Sequence, residues 1–563
     1  MAFFTDDIPC PVRVCQEVLM SPNSLGFLVI CGVISGALAA GGSAFAQDSG
    51  RPRFVRQALH EFAKDPQKMK SLVDGVAEMK RRNSAPKDSA EYRTSWEYWA
   101  NIHGYPGPRN GTVAEWQAFL QSRFPEDAPL FSGFFQGMTD FTPPDQLATD
   151  IWGTCVHGDD EPSHFLTWHR MYLYFFERVL RKASGNPSFA LPYWDYTNSK
   201  ADVAQPSSSP WRIPAAFLAP PPNAPQSLFE RRRTAGFGEA VQLDIEQTNV
   251  DSVLAIGKFV EFQPTLERGL HAFIHCTVGS QCLAPYIGLV PFAGNDPLFW
   301  HHHANIDRLW ECWTVRHGRD ANPTGDANWM SKTYKFVDET GAPVEMKVSE
   351  LFDPAGRIDY AYDNVRQCFR KEPPVVMAAV GKAERRAATA AAATTSIATA
   401  RDVRLDKIDQ VVPLVRPPTT ASKGRERALT SVARPTGSAP AKALLRLIGV
   451  QTTQAQPAAS ISVFLTSPAG DRRKFVGVIG FFGLSEHQLH GHGSGGRDFT
   501  FDVSSQVREL VADRSPAGEI HVSFVASSGL AGQAPAVSQE RVRKAGVAIR
   551  EIKLDIEQAA PAR

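Results

Sequence analysis

Apolar positions follow two different periods along this chain. In WHRMYLYFFERVLRKA (168–183), LERGLHAFIHC (266–276) and LFWHHHANIDRLWECW (298–313) they recur every three or four residues. That spacing gathers them on one face of a helix. The first of these runs ends in a basic turn, which suits the negative end of a helix dipole. From Ala443 to about Glu557 the period drops to two. LLRLIGV, SISVFLTS, KFVGVIGFFG, DFTFDVS, EIHVSFVAS and VAIREIKLDIE read as six half-buried antiparallel strands. Gly, Pro and Ser separate them, which predicts a small β-sandwich. The fold class is therefore mainly α: a helical central domain, then a small C-terminal β-sandwich.

Between the two patterns, residues 371–442 lose periodicity. AERRAATAAAATTSIATARD is low in complexity, and VRPPTTASKGRER is rich in Pro, Ser, Thr and basic residues. This composition predicts a flexible linker between domains at 47–370 and 443–563. At the N-terminus, GFLVICGVISGALAAGG (26–42) is apolar and uncharged, and SAFAQ follows with small residues at Ala44 and Ala46. That pattern predicts a signal peptide over 1–46, an exported protein, and no membrane span after cleavage; a retained span is the alternative. Only Arg13 is basic ahead of the apolar run, so the true start is either Met1 or Met20.

Composition changes little. With 60 Lys plus Arg against 59 Asp plus Glu, nothing favours nucleic acid as a partner. The cysteines matter more. Cleavage after Ala46 leaves Cys155, Cys276, Cys282, Cys312 and Cys368. An odd number in an exported protein gives one of them a fate other than pairing. Which of the last four pair is left open.

The candidate chemistry lies in the histidines. Of 15 in the chain, most fall in the central domain. His157, His164 and His169 crowd into CVHGDDEPSHFLTWHR (155–170), and His271 and His275 are one helical turn apart. His301, His302 and His303 follow, with Asp307 four residues beyond the last. Imidazole suits Zn, Cu, Fe and Ni. No glutamate stands between His271 and His275, which disfavours a zinc hydrolase. Non-haem iron prefers two histidines and a carboxylate. An all-imidazole site with aromatic walls fits copper better.

HFLTWHRMYLYFFE (164–177), followed by LPYWDY (191–196), resembles the first copper signature of tyrosinases, catechol oxidases and molluscan haemocyanins. DPLFWHHHANIDRLW (296–310) resembles the second, and YAY (360–362) resembles the tyrosine motif that closes the domain. The likeness spans roughly residues 90–370. It points to the type-3 dicopper family, in a bacterial form with a C-terminal extension. The resemblance implies two copper ions. SWEYWANIHG (95–104) resembles a family motif that supplies His103 as a ligand. The first copper then takes His103, His157 and His169; the second takes His271, His275 and His303. The loop before Phe165 departs from the pattern by about three inserted residues, so His164 competes with His157. Cys155-Val-His157 matches a family Cys-x-His that forms a thioether, which favours His157 and gives the odd cysteine a role.

Other residues take roles from the same likeness. His302, Asp307 and Asp195 are expected behind the ligands, where carboxylates orient imidazoles or arginines. Glu267 matches a glutamate thought to orient a water for phenol deprotonation. Ala272 stands where an asparagine shares that task, which weakens the case for monophenol hydroxylation. Val290 replaces a bulky phenylalanine over the first copper, which opens access. The implied activity is oxidation of o-diphenols to o-quinones by O2, with some hydroxylation of monophenols. A haemocyanin-like O2 carrier is the alternative. The C-terminal extension of such enzymes covers the copper entrance until it is cut. Here Phe481 or Phe482 would plug the pocket, with an activating protease, and a copper chaperone, as partners. His487, His490 and His492 read as a solvated loop, or as a transient copper-delivery site.

Overall fold

The computed structural model describes residues 53–558 except 106–111, 139, 141, 157–161, 198–210, 220–226, 354–356, 366–393, 416–421, 434–440, 454–458, 468–469, 484–495, 513–519 and 533–535. The signal segment, His157, Cys368, and His487, His490 and His492 lie outside the described residues.

The central domain is built on six helices that matter here: α1 (Pro66–Arg81), α2 (Trp96–Ile102), α3 (Phe165–Ala183), α4 (Phe259–Leu266), α5 (Ala272–Val278) and α6 (Pro297–His317). Their ends follow from local chemistry. The Ser95 hydroxyl caps α2 by accepting from the Tyr98 N–H at 3.1 Å. Asp296 caps α6 through the Leu298 N–H at 2.8 Å, and Pro297 occupies the first turn, where no N–H is needed. Gly318, at φ 89°, ends α6. The run 266–276, expected as one helix, is broken. Pro264 sits inside α4 with no N–H to give, and a π turn (Glu267–His271) separates α4 from α5. Aromatic rings fill the core between the helices. Trp300 of α6 lies flat on Phe176 of α3, with planes 7° apart.

Three short strands tie distant parts together: β1 (Phe54–Arg56), β2 (Val241–Leu243) and β3 (Tyr360–Tyr362). Strands β1 and β3 pair in parallel, which brings the YAY motif beside Arg56. The C-terminal region forms β4 (Thr394–Leu405), β5 (Asp409–Pro413), β6 (Lys442–Gln451), β7 (Ser460–Thr466), β8 (Arg473–Ile479), β9 (Arg497–Asp502), β10 (His521–Ser527), β11 (Leu530–Gly532) and β12 (Val547–Glu557). Two four-stranded antiparallel sheets result, in the orders β8-β7-β10-β5 and β9-β6-β12-β4. The six expected strands are all present.

The expected linker is corrected. From Thr394 onward the chain is sandwich, not linker: β4 pairs with β12 from Thr394↔Glu557 to Leu405↔Val547. Strand β5 pairs with β10, and Ser422–Ala433 is helical. The β-domain therefore begins some fifty residues before Ala443. Strand β4 escapes the alternation test because it is an edge strand with mostly small or polar residues. Only Ile397, Ala398, Val403 and Leu405 are buried along it.

The sandwich packs on the helical domain within one compact unit spanning Pro52–Arg563. Strand β11 pairs antiparallel with β2 of the central domain. Arg446 of β6 meets Glu261 of α4 at 2.7 Å, and the Thr500 N–H donates to the Thr265 hydroxyl at 3.1 Å. Gly529, at φ +73°, lies so close to Phe273 that a Cβ would fall 2.6 Å from the ring. No described helix is long and apolar enough to cross a membrane.

Candidate metal centre

His103 is the residue at which α2 ends, and its extended backbone turns the ring away from the helix. His169 comes from the second turn of α3, His271 and His275 from the π turn and α5, and His302 and His303 from α6. All six are buried. Two groups form. In one, the ligand atoms of His271, His275, His302 and His303 lie within 4.8 Å of one another; in the other, those of His103, Cys155 and His169 do. The His303 ring bridges the groups, with centroids 4.5 Å from His169 and 5.0 Å from His271.

Four imidazoles are anchored the same way. The Nδ1 of His103 donates to the Val290 carbonyl at 2.9 Å, and that of His169 to Phe165 at 2.8 Å. The Nδ1 of His271 donates to Glu267 at 3.0 Å, and that of His275 to Ile287 at 2.7 Å. Fixing Nδ1–H on a carbonyl sets the tautomer and leaves Nε2 as the lone-pair donor. The Nε2 of His302 is buried without a hydrogen bond, while its Nδ1 meets the Tyr196 hydroxyl at 2.8 Å. Burial pushes the His302 pKa down to about 3. The His303 pKa is also held well down, by burial first and then by the imidazoles of His169, His271, His302 and His275 around it. The Nε2 atoms of His275 and His303 converge to 3.2 Å. Neutral rings whose Nε2 atoms face one another are what a soft metal ion requires, so this donor set fits copper. Phe165 and Phe299 wall the groups, 4.4 Å from His169 and 4.3 Å from His303.

The remaining candidates fall out as follows. His302 was expected only behind the ligands; it joins the second cluster, with an Nε2 as buried as theirs. His164 joins neither group among the described residues. Its ring stacks on Trp329, with planes 19° apart. His301 turns away as well, donating through Nδ1 to Pro192. Among the described residues Asp307 anchors arginines and tyrosines, not an imidazole. Its carboxylate accepts from Arg170 at 2.5 Å and from Tyr360 and Tyr362 at 2.6 Å each, with Arg56 at 3.4 Å. Asp195 likewise pairs with Arg308 at 2.8 Å. Both carboxylates hold the helices that carry the histidines.

Cys155 is a free thiol, 3.9 Å from His169 Nε2. Burial pushes its pKa well up, and the negative charge of Glu267 adds to the rise. Cys276 pairs with Cys282, and Cys312 is also disulfide-bonded. Sequence reasoning missed Tyr196 and Gln263. Tyr196 lay within LPYWDY, where only the aspartate drew attention; Gln263 belongs to no motif.

The C-terminal domain reaches this centre directly. After β8, the Gly480 N–H donates to the Arg268 carbonyl at 3.0 Å. A Cβ on Gly480 would fall 2.7 Å from both Ala272 Cβ and the Phe273 nitrogen. Phe482 then lies over His275, with ring centroids 3.9 Å apart. Phe481 is buried beside it. Val290 stands between the centre and this segment: its Cγ2 is 3.5 Å from where a Gly483 Cβ would be.

Comparison with known proteins agrees with this geometry. Residues 93–316 match the common central domain of tyrosinase, and residues 389–543 match a domain of unknown function (DUF7868). The chain is 28% identical over 485 residues to tyrosinase HcTyr1 of Hahella sp. (strain CCB-MM4), covering 81% of this chain and 91% of that protein. It is 31% identical over 242 residues to the chloroplastic latent-form polyphenol oxidase of Prunus armeniaca, covering 36% of this chain but only 37% of the plant protein. In fold it is similar to a latent aurone synthase (polyphenol oxidase), with a TM-score of 0.54 at 18% identity over 91% of each chain. The histidine clusters all lie within residues 93–316, and that part of the chain is the common central domain of tyrosinase, the dicopper domain shared by polyphenol oxidases.

Proposed function

We propose that this protein oxidises o-diphenols to o-quinones with O2, hydroxylates some monophenols, and is held latent by its own C-terminal domain. One observation carries the reading: the Phe482 ring lies face to face on His275, with planes 6° apart, as a flat phenolic substrate would lie. His103 and His169, with His157, would hold one copper; His271, His275 and His303, with His302 close by, would hold the other. Copper when bound supplies the electron transfer between phenol and O2. The chain's own groups do the rest. Phe165 and Phe299 keep the rings in place and exclude water, and the backbone carbonyls fix each tautomer. Glu267 is buried, its backbone carbonyl holds the His271 ring, and its carboxylate would take a phenol's proton. Cys155 and His157 form a thioether. Export fits the Cys276–Cys282 disulfide, which persists in oxidising compartments.

The test compares copper-loaded full chain with a chain ending at residue 370, in O2 uptake on a matched monophenol and o-diphenol. The shortened chain should turn over the diphenol fast and the full chain slowly. Equal rates in both forms would remove the latency reading. No turnover of either phenol with both coppers bound would make an O2 carrier the better description.

A further inference from the structure

Three consecutive residues just past α5 hold a backbone conformation that side chains disfavour. Ser280, Gln281 and Cys282 lie at φ 56°, 61° and 58°, and Tyr286 follows at 65°. Among the described residues, Asp140 and Asp402 are the other non-glycine residues at positive φ. A Cβ there crowds the following carbonyl oxygen, so such residues usually occur singly, and they persist where the surroundings hold them. Here the Cys276–Cys282 disulfide closes the turn. The Gln281 and Cys282 N–H groups both donate to the Cys276 carbonyl, at 2.5 and 3.2 Å.

Both ends of the turn meet the metal centre. Cys276 directly follows His275. Beyond Cys282 the chain comes back against its own start. The Ala284 N–H donates to the Gly279 carbonyl at 3.0 Å. A Cβ on Gly288 would fall 2.8 Å from the Gly279 oxygen and 3.4 Å from the Cys282 Cα. That close approach sets the carbonyls on either side of it. Ile287 accepts from His275 Nδ1 at 2.7 Å, and Val290 accepts from His103 Nδ1 at 2.9 Å. One short segment therefore fixes an imidazole in each histidine group. A disulfide that served stability alone would gain most by closing a long loop. This one joins cysteines only 6 positions apart, so its constraint is local. Both cysteines are buried, unlike an exposed pair open to thiol exchange.

We propose that the Cys276–Cys282 disulfide is a positioning device for the copper centre: it locks the left-handed turn, and the turn presents the Ile287 carbonyl to His275 and the Val290 carbonyl to His103. Without the bond the turn relaxes toward ordinary backbone angles, and the carbonyls leave the imidazoles whose Nδ1–H they hold. This rests on the copper ligands assigned above.

Copper content of the full chain, after dialysis against graded chelator, tests it. Cys276→Ala with Cys282→Ala removes the bond and adds no polar group to the buried site. One of the two coppers should then bind about 10–100-fold more weakly, as for loss of a supporting partner. Glycine separates positioning from plain stability. Cys276→Ala, Ser280→Gly and Cys282→Gly together let the turn form without the bond. Gln281 is kept, because its side chain donates to the Ser528 carbonyl of the C-terminal domain. This triple variant should recover near-parental copper affinity, while its urea stability stays low, because glycine restores no cross-link. Unchanged affinity in the double variant, or no recovery in the triple one, overturns the proposal. If the double variant does not fold, Gly288→Ala replaces it: the bond stays, but the new methyl drives Ile287 away from Gly279. The same copper should weaken, and unchanged affinity overturns the proposal. A copper-free crystal structure of the folded variant should show the Ile287 carbonyl beyond hydrogen-bond distance of His275 Nδ1. An intact contact there overturns the proposal as well. A parent chain that binds no copper would sink the copper reading by itself, and the His275–Ile287 contact would still decide what the turn positions.

Discussion

Phe482 and His275 are stacked in parallel, centroids 3.9 Å apart, although 207 positions of chain separate them. A ring from one domain thus occupies the face of an imidazole in the other. Replacing it tests the lid without cutting the chain. A stacked aromatic pair contributes about 0.5–1.5 kcal/mol beyond its burial, so Phe482→Ala in the full chain should raise diphenol kcat/KM about tenfold. Gly480→Ala should act the same way by another route, because its new methyl meets Ala272 and the Phe273 backbone. Unchanged rates in both variants would show that the ring is not the barrier.

Cutting the chain is a different operation from removing the lid. The expected linker ran to residue 442, but β4 begins at Thr394 and belongs to a sheet. A cut between residues 371 and 393 leaves the whole sandwich docked. The β2–β11 pair, the Arg446–Glu261 ion pair and the Gln506–Ser252 hydrogen bond all survive it. Nicked protein should therefore elute as one species in size exclusion and stay largely inactive. Its fragments should separate, and activity appear, only under mild denaturant. Full activity on nicking alone would contradict this.

Asp307 gathers Arg56, Arg170, Tyr360 and Tyr362 in the core, linking β1, α3, α6 and β3. Asp307→Ala leaves two buried arginines short of a counter-charge and should cost about 3–5 kcal/mol in urea unfolding. Tyr360→Phe removes one hydrogen bond and should cost about 1 kcal/mol. The arginines and tyrosines hold the Asp307 pKa below its usual value against the effect of burial. A depressed carboxylate contributes stability above its unfolded pKa and loses it as pH falls through the folded value. Asp307→Asn should therefore unfold with a shallower dependence on pH below about 4 than the parent chain.

How far the sequence reached depended on whether a residue's role left a periodic or motif-bound trace. His169, His271, His275 and His303 sit at helical spacings beside aromatic runs, so they were legible. Phe482 was legible because KFVGVIGFFG ends a strand with two adjacent rings. The π turn was not, because LERGLHAFIHC keeps an unbroken apolar period across it. Strand β4 was hidden by its small edge residues, whose pairing with β12 is made by backbone groups that carry no side-chain signature. Gln263 and Tyr196 act through single long-range or one-turn contacts, which no local pattern announces.

The second cluster has one histidine more than a three-ligand copper needs, and copper content can sort them. His303 stands between both groups, within 5.4 Å centroid distance of His275 and 4.5 Å of His169. His302 is tied from behind by Tyr196. Purified His303→Ala should hold one copper per chain. His302→Ala should still bind two at saturation, with affinity for one weakened about 10–100-fold, as for loss of a supporting partner. Metal analysis after dialysis against graded chelator separates these outcomes. One copper in His302→Ala and two in His303→Ala would reverse the assignment.

Among the described residues Cys155 is the free thiol; it lies two residues before His157 in the sequence and stands in the first cluster with His103 and His169. Its high pKa keeps it protonated and poorly nucleophilic, so it should not react as an ordinary surface thiol does. A thioether to His157 needs the S–H and an imidazole C–H bond to break, with two electrons and two protons passing to O2. That demands copper and oxygen. The peptide spanning both residues should be lighter by two hydrogens in protein matured with copper in air, and of full mass in protein kept copper-free. Alkylation should label Cys155 only in the unfolded copper-free chain. Full mass after aerobic copper loading would leave Cys155 a plain thiol packed against His169, and the His157 ring unpinned.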